Sequence, residues 1–191
     1  MPNESIQRAI KRGTGELGAE TFEEITYEGY GPGGVAIMVS AMTDNRNRSA
    51  SDIRHVFSKN GGNLGETGCV AWMFQKKGLI IVNIDELDIG EDDFVGLAIE
   101  SGAEDYQIDD TIIEIYTEPE TFEEVEKFFK SENISLSNAE VTMLPQNTVK
   151  IQGEIAKQVL NLVESLEELD DVQQVYANFD IPDEELESLG D

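Results

Sequence analysis

The sequence predicts an α+β fold built on mostly antiparallel sheets. Segments with strand-like alternation and segments with helical periodicity intermix along the chain. Successive strands are joined by connections too short for the crossover that a parallel pair requires. A helix–loop–strand pattern also occurs twice in similar form, EEVEKFFK before AEVTML and KQVLNLVE before VQQVYANF, which points to two small sheet-and-helix lobes of like build.

The elements follow in order. Asn3 can cap a short helix over residues 4–12, with Ile6, Ala9 and Ile10 as its stripe and Gly13 as its stop. ITYEGYGPGGVAIMVSAMT reads as two strands, Phe22 to Tyr30 and Val35 to Met42, around a Gly-Pro turn. A helix is expected over 49–60, opened by Ser49 and Asp52 at capping-box spacing, with Ala50, Ile53, Val56 and Phe57 inward and Gly61-Gly62 as its end. CVAWMF and LIIVNI read as a hairpin about a KKG turn. DDFVGLAIESG is a short helix, and EDYQIDDTIIEIYT is two strands joined at Asp109-Asp110. TFEEVEKFFKSEN is an amphipathic helix with Val125, Phe128 and Phe129 inward, followed by the strands AEVTMLP and QNTVKI. The longest helix, EIAKQVLNLVESLEELD, puts Ile155, Val159, Leu162, Val163, Leu166 and Leu169 on one face. VQQVYANF closes as a strand, and the acidic tail 182–191 is expected to be loose.

The chain is long enough to bury a core, and 39% of its 191 residues are hydrophobic. Charge is unevenly spread. Residues 1–60 hold 7 basic and 8 acidic side chains, whereas 61–191 hold 6 and 32, for a total of −27. Such a field repels phosphate backbones at long range. One cysteine, Cys69, leaves no intrachain disulfide and no cysteine-rich metal site. MPNESIQRAIKRG lacks the apolar core of a signal peptide, and the longest apolar runs are far too short to span a bilayer. The expected location is the cytoplasm.

Catalytic groups do not stand out. YEGYGPGGV resembles a phosphate loop at first sight, but a strand-like run follows it where a dinucleotide site needs a helix, and Pro32 removes a backbone donor. His55 lies at the edge of a helix's apolar face without a nucleophile partner, and Cys69 reads as a small hydrophobe in a strand. The carboxylate runs 91–93, 123–124 and 183–185 lack calcium-loop spacing. The expectation is a non-enzymatic protein with no catalytic residue, no cofactor and no metal.

TDNRNRSASDIRHVFSKNGG is different. Arg46, Arg48, Arg54 and Lys59 face only Asp44 and Asp52 there. Arg46 and Arg48 are expected in the turn just before the 49–60 helix, whose unpaired N–H groups carry partial positive charge. Arginines beside a helix N-terminus can bind phosphate; alternatively, they pair with nearby carboxylates. Lys11 and Arg12 add two cations if the fold brings them close.

AIKRGTGE, YEGYGPGGVAI, TDNRNRSASDIRHVFSKNGGNLGETGCVAWMF and VQQVYANFDIP together resemble the YebC/PmpR family, which includes the mitochondrial translational activator of cytochrome c oxidase. The resemblance runs from about Pro2 to Pro182. It implies a helical N-terminal part and two ferredoxin-like α+β lobes, one inserted into the other. The central lobe would comprise 20–76 plus 150–181, with the inserted acidic lobe over 77–149 and residues 1–19 as a remnant of the N-terminal part. Family members usually open with a basic segment near MAGHSKW, which this sequence does not contain. Two roles come with the resemblance: transcriptional regulation through DNA binding, and ribosome-associated help with difficult sequences such as proline runs. Both would set a cationic surface against phosphates, and the second would also engage basic ribosomal proteins. No base-reading cluster stands at the N-terminal turn of the 49–60 helix. A protein-interaction scaffold without nucleic acid is a third reading.

Overall fold

A computed structural model of the chain describes residues 21–189; the expected helix over 4–12, with Lys11 and Arg12, lies outside the described residues. The chain divides into two compact units. Residues through Phe74 together with those from Pro145 onward form the first, and Gln75–Leu144 form the second.

The first unit opens with the hairpin β1 (Glu23–Tyr30) and β2 (Ala36–Thr43), paired antiparallel from Glu23↔Thr43 to Tyr30↔Ala36. Its connection is the short 3-10 turn Pro32–Gly34, where Gly33 and Gly34 take φ of 74° and 79°. L side chains rarely adopt that conformation, so the glycines make this tight reversal possible. Helix α1 (Arg46–Lys59) follows, and β3 (Asn63–Leu64) pairs with the outer edge of β1.

α1 begins earlier than the sequence predicts. Asn45 is the cap, its side-chain oxygen accepting the Arg48 N–H at 3.1 Å. Ser49, the expected cap, is instead buried inside the helix. At the other end the Gly62 N–H donates to the Phe57 carbonyl at 2.8 Å, and Gly61 takes φ of 78°. Cys69 lies in a loop rather than in a strand, followed by a 3-10 turn over Ala71–Met73.

The second unit runs β4 (Phe74–Asn83), α2 (Glu91–Glu100), β5 (Asp105–Ile108), β6 (Ile112–Thr117), α3 (Phe122–Ser131) and β7 (Asn138–Pro145). Its sheet order, β5-β6-β4-β7, is that of a ferredoxin-like βαββαβ unit. The expected KKG turn is absent: Lys76, Lys77 and Gly78 lie within β4, because Gly78 pairs with Thr117 of β6 and the ladder continues through them. Ile80, Val82, Ile113 and Ile115 on the sheet meet Phe94 and Ala98 of α2 and Val125 and Phe129 of α3. The Phe94 and Phe129 rings stack at 5.5 Å. Each such fully buried side chain contributes about 1.5–3 kcal/mol. Lys77 is kept by Glu104 at 2.5 Å and Glu118 at 2.6 Å, and its hydrogen bond to Glu104, above all, raises its pKa.

The chain then returns to the first unit through β8 (Val149–Lys150), α4 (Gly153–Glu167), β9 (Val172–Ala177), β10 (Phe179–Asp180) and α5 (Asp183–Leu189). The first sheet is ordered β3-β1-β2-β9, while β8 and β10 make a small parallel pair. Val35, Ile37 and Val39 pack with Ile53 and Phe57 of α1 and with Val159, Leu162 and Leu166 of α4. Two further expectations are corrected here. Ile155 is exposed, one position off the buried Ala156–Val159 stripe. The tail forms a helix, and its Glu185 carboxylate accepts the Gly153 N–H, supplying a cap that Gln152 does not provide. Among the described residues, no helix is long and apolar enough to cross a membrane.

Candidate nucleic-acid interface

The buried residues of α1 are Ser49, Ile53 and Phe57, spaced at four so that one face meets the sheet. The opposite face presents Asn47, Arg48, Ser51, Asp52, Arg54, His55, Ser58 and Lys59, all exposed. Asp52 is the only carboxylate on it. The cations named from the sequence thus lie on one element, but they stand in different states.

Arg46 and Arg48 belong to the helix's first turn and not to the loop before it. Arg48 is held by two carboxylates: its guanidinium lies 2.9 Å from Asp44 and 3.1 Å from Asp171. Hydrogen bonding to Asp171, the largest cause, raises its pKa. Arg48 is therefore partnered as the alternative reading of these arginines had it, although 45% of its side chain remains exposed. Arg46 makes only a long contact, 3.8 Å, to an exposed carboxylate of Glu23, an arrangement of little energetic consequence in water. Arg54 and Lys59 have no ion pair among the described residues. Lys59 also sits in the last turn, where the helix dipole favours a cation.

Asp171 does more than hold Arg48. It lies between α4 and β9, and its Oδ2 accepts the Ser49 hydroxyl at 2.5 Å and the Thr43 hydroxyl at 3.2 Å. The Asp171 carbonyl accepts the Met42 N–H at 2.8 Å. One residue from the far end of the sequence thereby fixes the start of α1 against the end of β2. The sequence reading did not single it out, since nothing in its local pattern separates it from the other acids.

Glu28 was also passed over. It is 3% exposed and its carboxylate accepts the backbone N–H groups of Gly68 at 2.6 Å, Val70 at 3.1 Å and Ala71 at 2.5 Å. The Glu28 carbonyl accepts the Gly65 N–H at 2.8 Å. Alternation in ITYEGY puts Glu28 with Thr26 and Tyr30, opposite Ile25 and Tyr27, so no local pattern signals its burial; the three N–H donors that reach it do. His55 stands exposed on the polar face of α1. Among the described residues, no group of three or more histidine, cysteine or carboxylate side chains is arranged to hold a metal ion.

The fold and this helix together define a two-unit α+β protein with a cationic helix face, α1, among its described residues, in a chain of net charge −27. The chain belongs to the TACO1/YebC family: the family model for the TACO1/YebC second and third domain matches residues 22–179. A "Probable transcriptional regulatory protein" of Natranaerobius thermophilus is 58% identical over 98% of this chain and 76% of its own length. One of the same name from Halothermothrix orenii is 54% identical, over 99% and 75%. The crystal structure of a conserved hypothetical protein from Aquifex aeolicus superposes with a TM-score of 0.77 at 51% identity, covering 96% of this chain and 75% of that one. The label these relatives carry is that of a family of regulators.

Proposed function

We propose that this protein regulates gene expression by contacting nucleic-acid phosphates, those of DNA, through the solvent face of α1; the transcriptional regulatory names of its relatives support the regulatory part of this reading. The observation that carries the proposal is the pair Arg54 and Lys59: exposed cations on one rigid helix, unpaired among the described residues, in a protein of net charge −27. Arg46 adds to them at the cost of one loose contact. Arg48 joins only by leaving Asp44 and Asp171, so it strengthens binding less than its charge alone implies.

The same geometry favours a second reading, in which the phosphates belong to ribosomal RNA. Helices that read bases present their N-terminal residues to the major groove. Here the first turn of α1 is tied to carboxylates, which suits backbone contact without base readout. The second unit holds 19 acidic and 4 basic side chains over 75–144, a composition repelled by a long duplex and matched to basic ribosomal proteins. A scaffold that binds no nucleic acid is the outcome left if both fail.

The test is an Arg54→Ala/Lys59→Ala double variant, assayed for binding to a DNA duplex and for travel with ribosomes through a sucrose gradient at two salt concentrations. Loss of two phosphate contacts should flatten the salt dependence of duplex binding by a log–log slope of roughly 2. Parent protein that binds duplex in this way supports the first reading. Parent protein that leaves duplex untouched but sediments with ribosomes, the variant not doing so, supports the second. A double variant indistinguishable from the parent in both assays overturns the role of this face.

A further inference from the structure

Trp72 is the only tryptophan in the chain and its side chain is 67% exposed, the position where an indole ring loses most by meeting water. It is not a loose residue on a loose loop. The indole N–H donates to the Cys69 carbonyl at 3.1 Å, and the Tyr30 hydroxyl donates to that same carbonyl at 3.3 Å. The backbone on either side is anchored by the buried Glu28 carboxylate through Gly68, Val70 and Ala71. With its one polar atom already satisfied, the ring has only its hydrophobic faces to offer. A fixed, exposed aromatic plane is the element from which sequence-tolerant base stacking is built.

Its surroundings differ from the rest of the protein. Residues 67–74 contain no carboxylate, and neither do 145–153, which include exposed Gln146, Asn147 and Lys150. The two segments are joined where the Gln146 N–H donates to the Met73 carbonyl at 2.9 Å. Side-chain amides there can donate to and accept from the edges of an unpaired base. Within these two segments the one charged side chain is the cation Lys150, although Glu28 is buried beneath the loop, Glu66 precedes it and Asp180 pairs in register with Lys150.

The loop that carries Trp72 is anchored on the face of β1 opposite α1. Tyr27, whose hydroxyl donates to the Arg46 carbonyl, points to the helix side of β1, so its neighbour Glu28 points to the other. We infer that Trp72, with Gln146 and Asn147 beside it, is a stacking site for an unpaired nucleobase of single-stranded nucleic acid, separate from the α1 face. The choice of ligand rests on the nucleic-acid reading above; the site itself does not involve Arg54 or Lys59.

A single tryptophan makes the test direct, because intrinsic emission reports on Trp72 alone. The probe is an oligouridylate of roughly 12 nucleotides, within the footprint of single-strand binders, titrated at low salt. Stacking predicts saturable quenching of Trp72 emission. It also predicts that Trp72→Ala weakens binding of a labelled probe on the order of tenfold, with Trp72→Phe recovering most of it. Far-ultraviolet dichroism checks that the variants fold, which exposure of the side chain leads one to expect. The Arg54→Ala/Lys59→Ala protein should still show the quenching, so failure of the α1 face and failure of this site are told apart. No quenching at any concentration, or a Trp72→Ala protein that binds like the parent, overturns the proposal and leaves Trp72 as a contact for a protein surface.

Discussion

Glu28 and Asp171 are two carboxylates among 40 acidic residues, and each closes contacts between segments far apart in sequence. Glu28 takes three N–H groups of the 68–71 loop out of water. Replacing it with Ala leaves those donors without an acceptor, and buried donors of that kind cost about 1–3 kcal/mol each. Glu28→Ala should therefore lower the urea midpoint by the equivalent of about 3 kcal/mol or more. It should also lower the fluorescence anisotropy of Trp72 in the folded protein, because the loop loses its anchor. Glu28→Gln keeps one oxygen but turns an amide NH2 toward backbone N–H groups, so it should fall between. An anisotropy unchanged in Glu28→Ala would show that the Tyr30 and Trp72 bonds to Cys69 hold the loop by themselves. Neither carboxylate was legible as special from the sequence, since what distinguishes them is which donors the fold delivers to them.

At the scale of elements, periodicity located the helices and most of the strands, and it erred where local chemistry had two solutions. Both Asn45 and Ser49 are good cap residues. Asn45 caps α1 because Ser49 is drawn to Thr43 at 2.7 Å and to Asp171, a partnership formed only in the folded chain. The misplaced start carried Arg46 and Arg48 with it, out of the helix and into the turn before it. In the same way Lys76-Lys77-Gly78 has the composition of a turn, yet the β6 ladder and the carboxylates of Glu104 and Glu118 keep it in β4. Helix α2 makes its own prediction. Gly96 sits in its middle, exposed, with nothing within 4 Å of where a Cβ would stand. Gly96→Ala should stabilise the protein by about 0.4–1 kcal/mol, chiefly by restricting the unfolded chain. Thermal unfolding that moves downward instead would show that the open position is needed by something packed on it.

For the molecule as a whole, each unit has its own buried cluster, one around Phe57 and Leu162 and the other around Phe94 and Phe129. The second unit begins in β4 and ends in β7, neighbouring strands of one sheet, so its two ends leave side by side. Residues 75–144 expressed alone should fold cooperatively, and a chain with that stretch replaced by a short Gly-Ser linker should keep the first unit's fold. Near-ultraviolet dichroism and a sigmoidal urea transition check each; a fragment without a transition would mean that its core depends on the rest of the chain.

The sequence alone determined the α+β class, the amphipathic elements and their inward faces, the segregation of charge and the family resemblance that the comparisons support. These follow from local periodicity, composition and contiguous motifs, all of which are properties of residues near one another in the chain. Only the tertiary structure decided that Arg48 is clamped while Arg54 and Lys59 stand unpaired among the described residues, that Glu28 anchors the loop beneath Trp72, and that the tail caps α4. The bonds from Arg48 to Asp171, from Glu28 to the 68–71 loop and from Glu185 to Gly153 each join a donor and an acceptor separated by tens of residues. An ion pair or a buried hydrogen bond is a fact about distance in space, which no local pattern encodes.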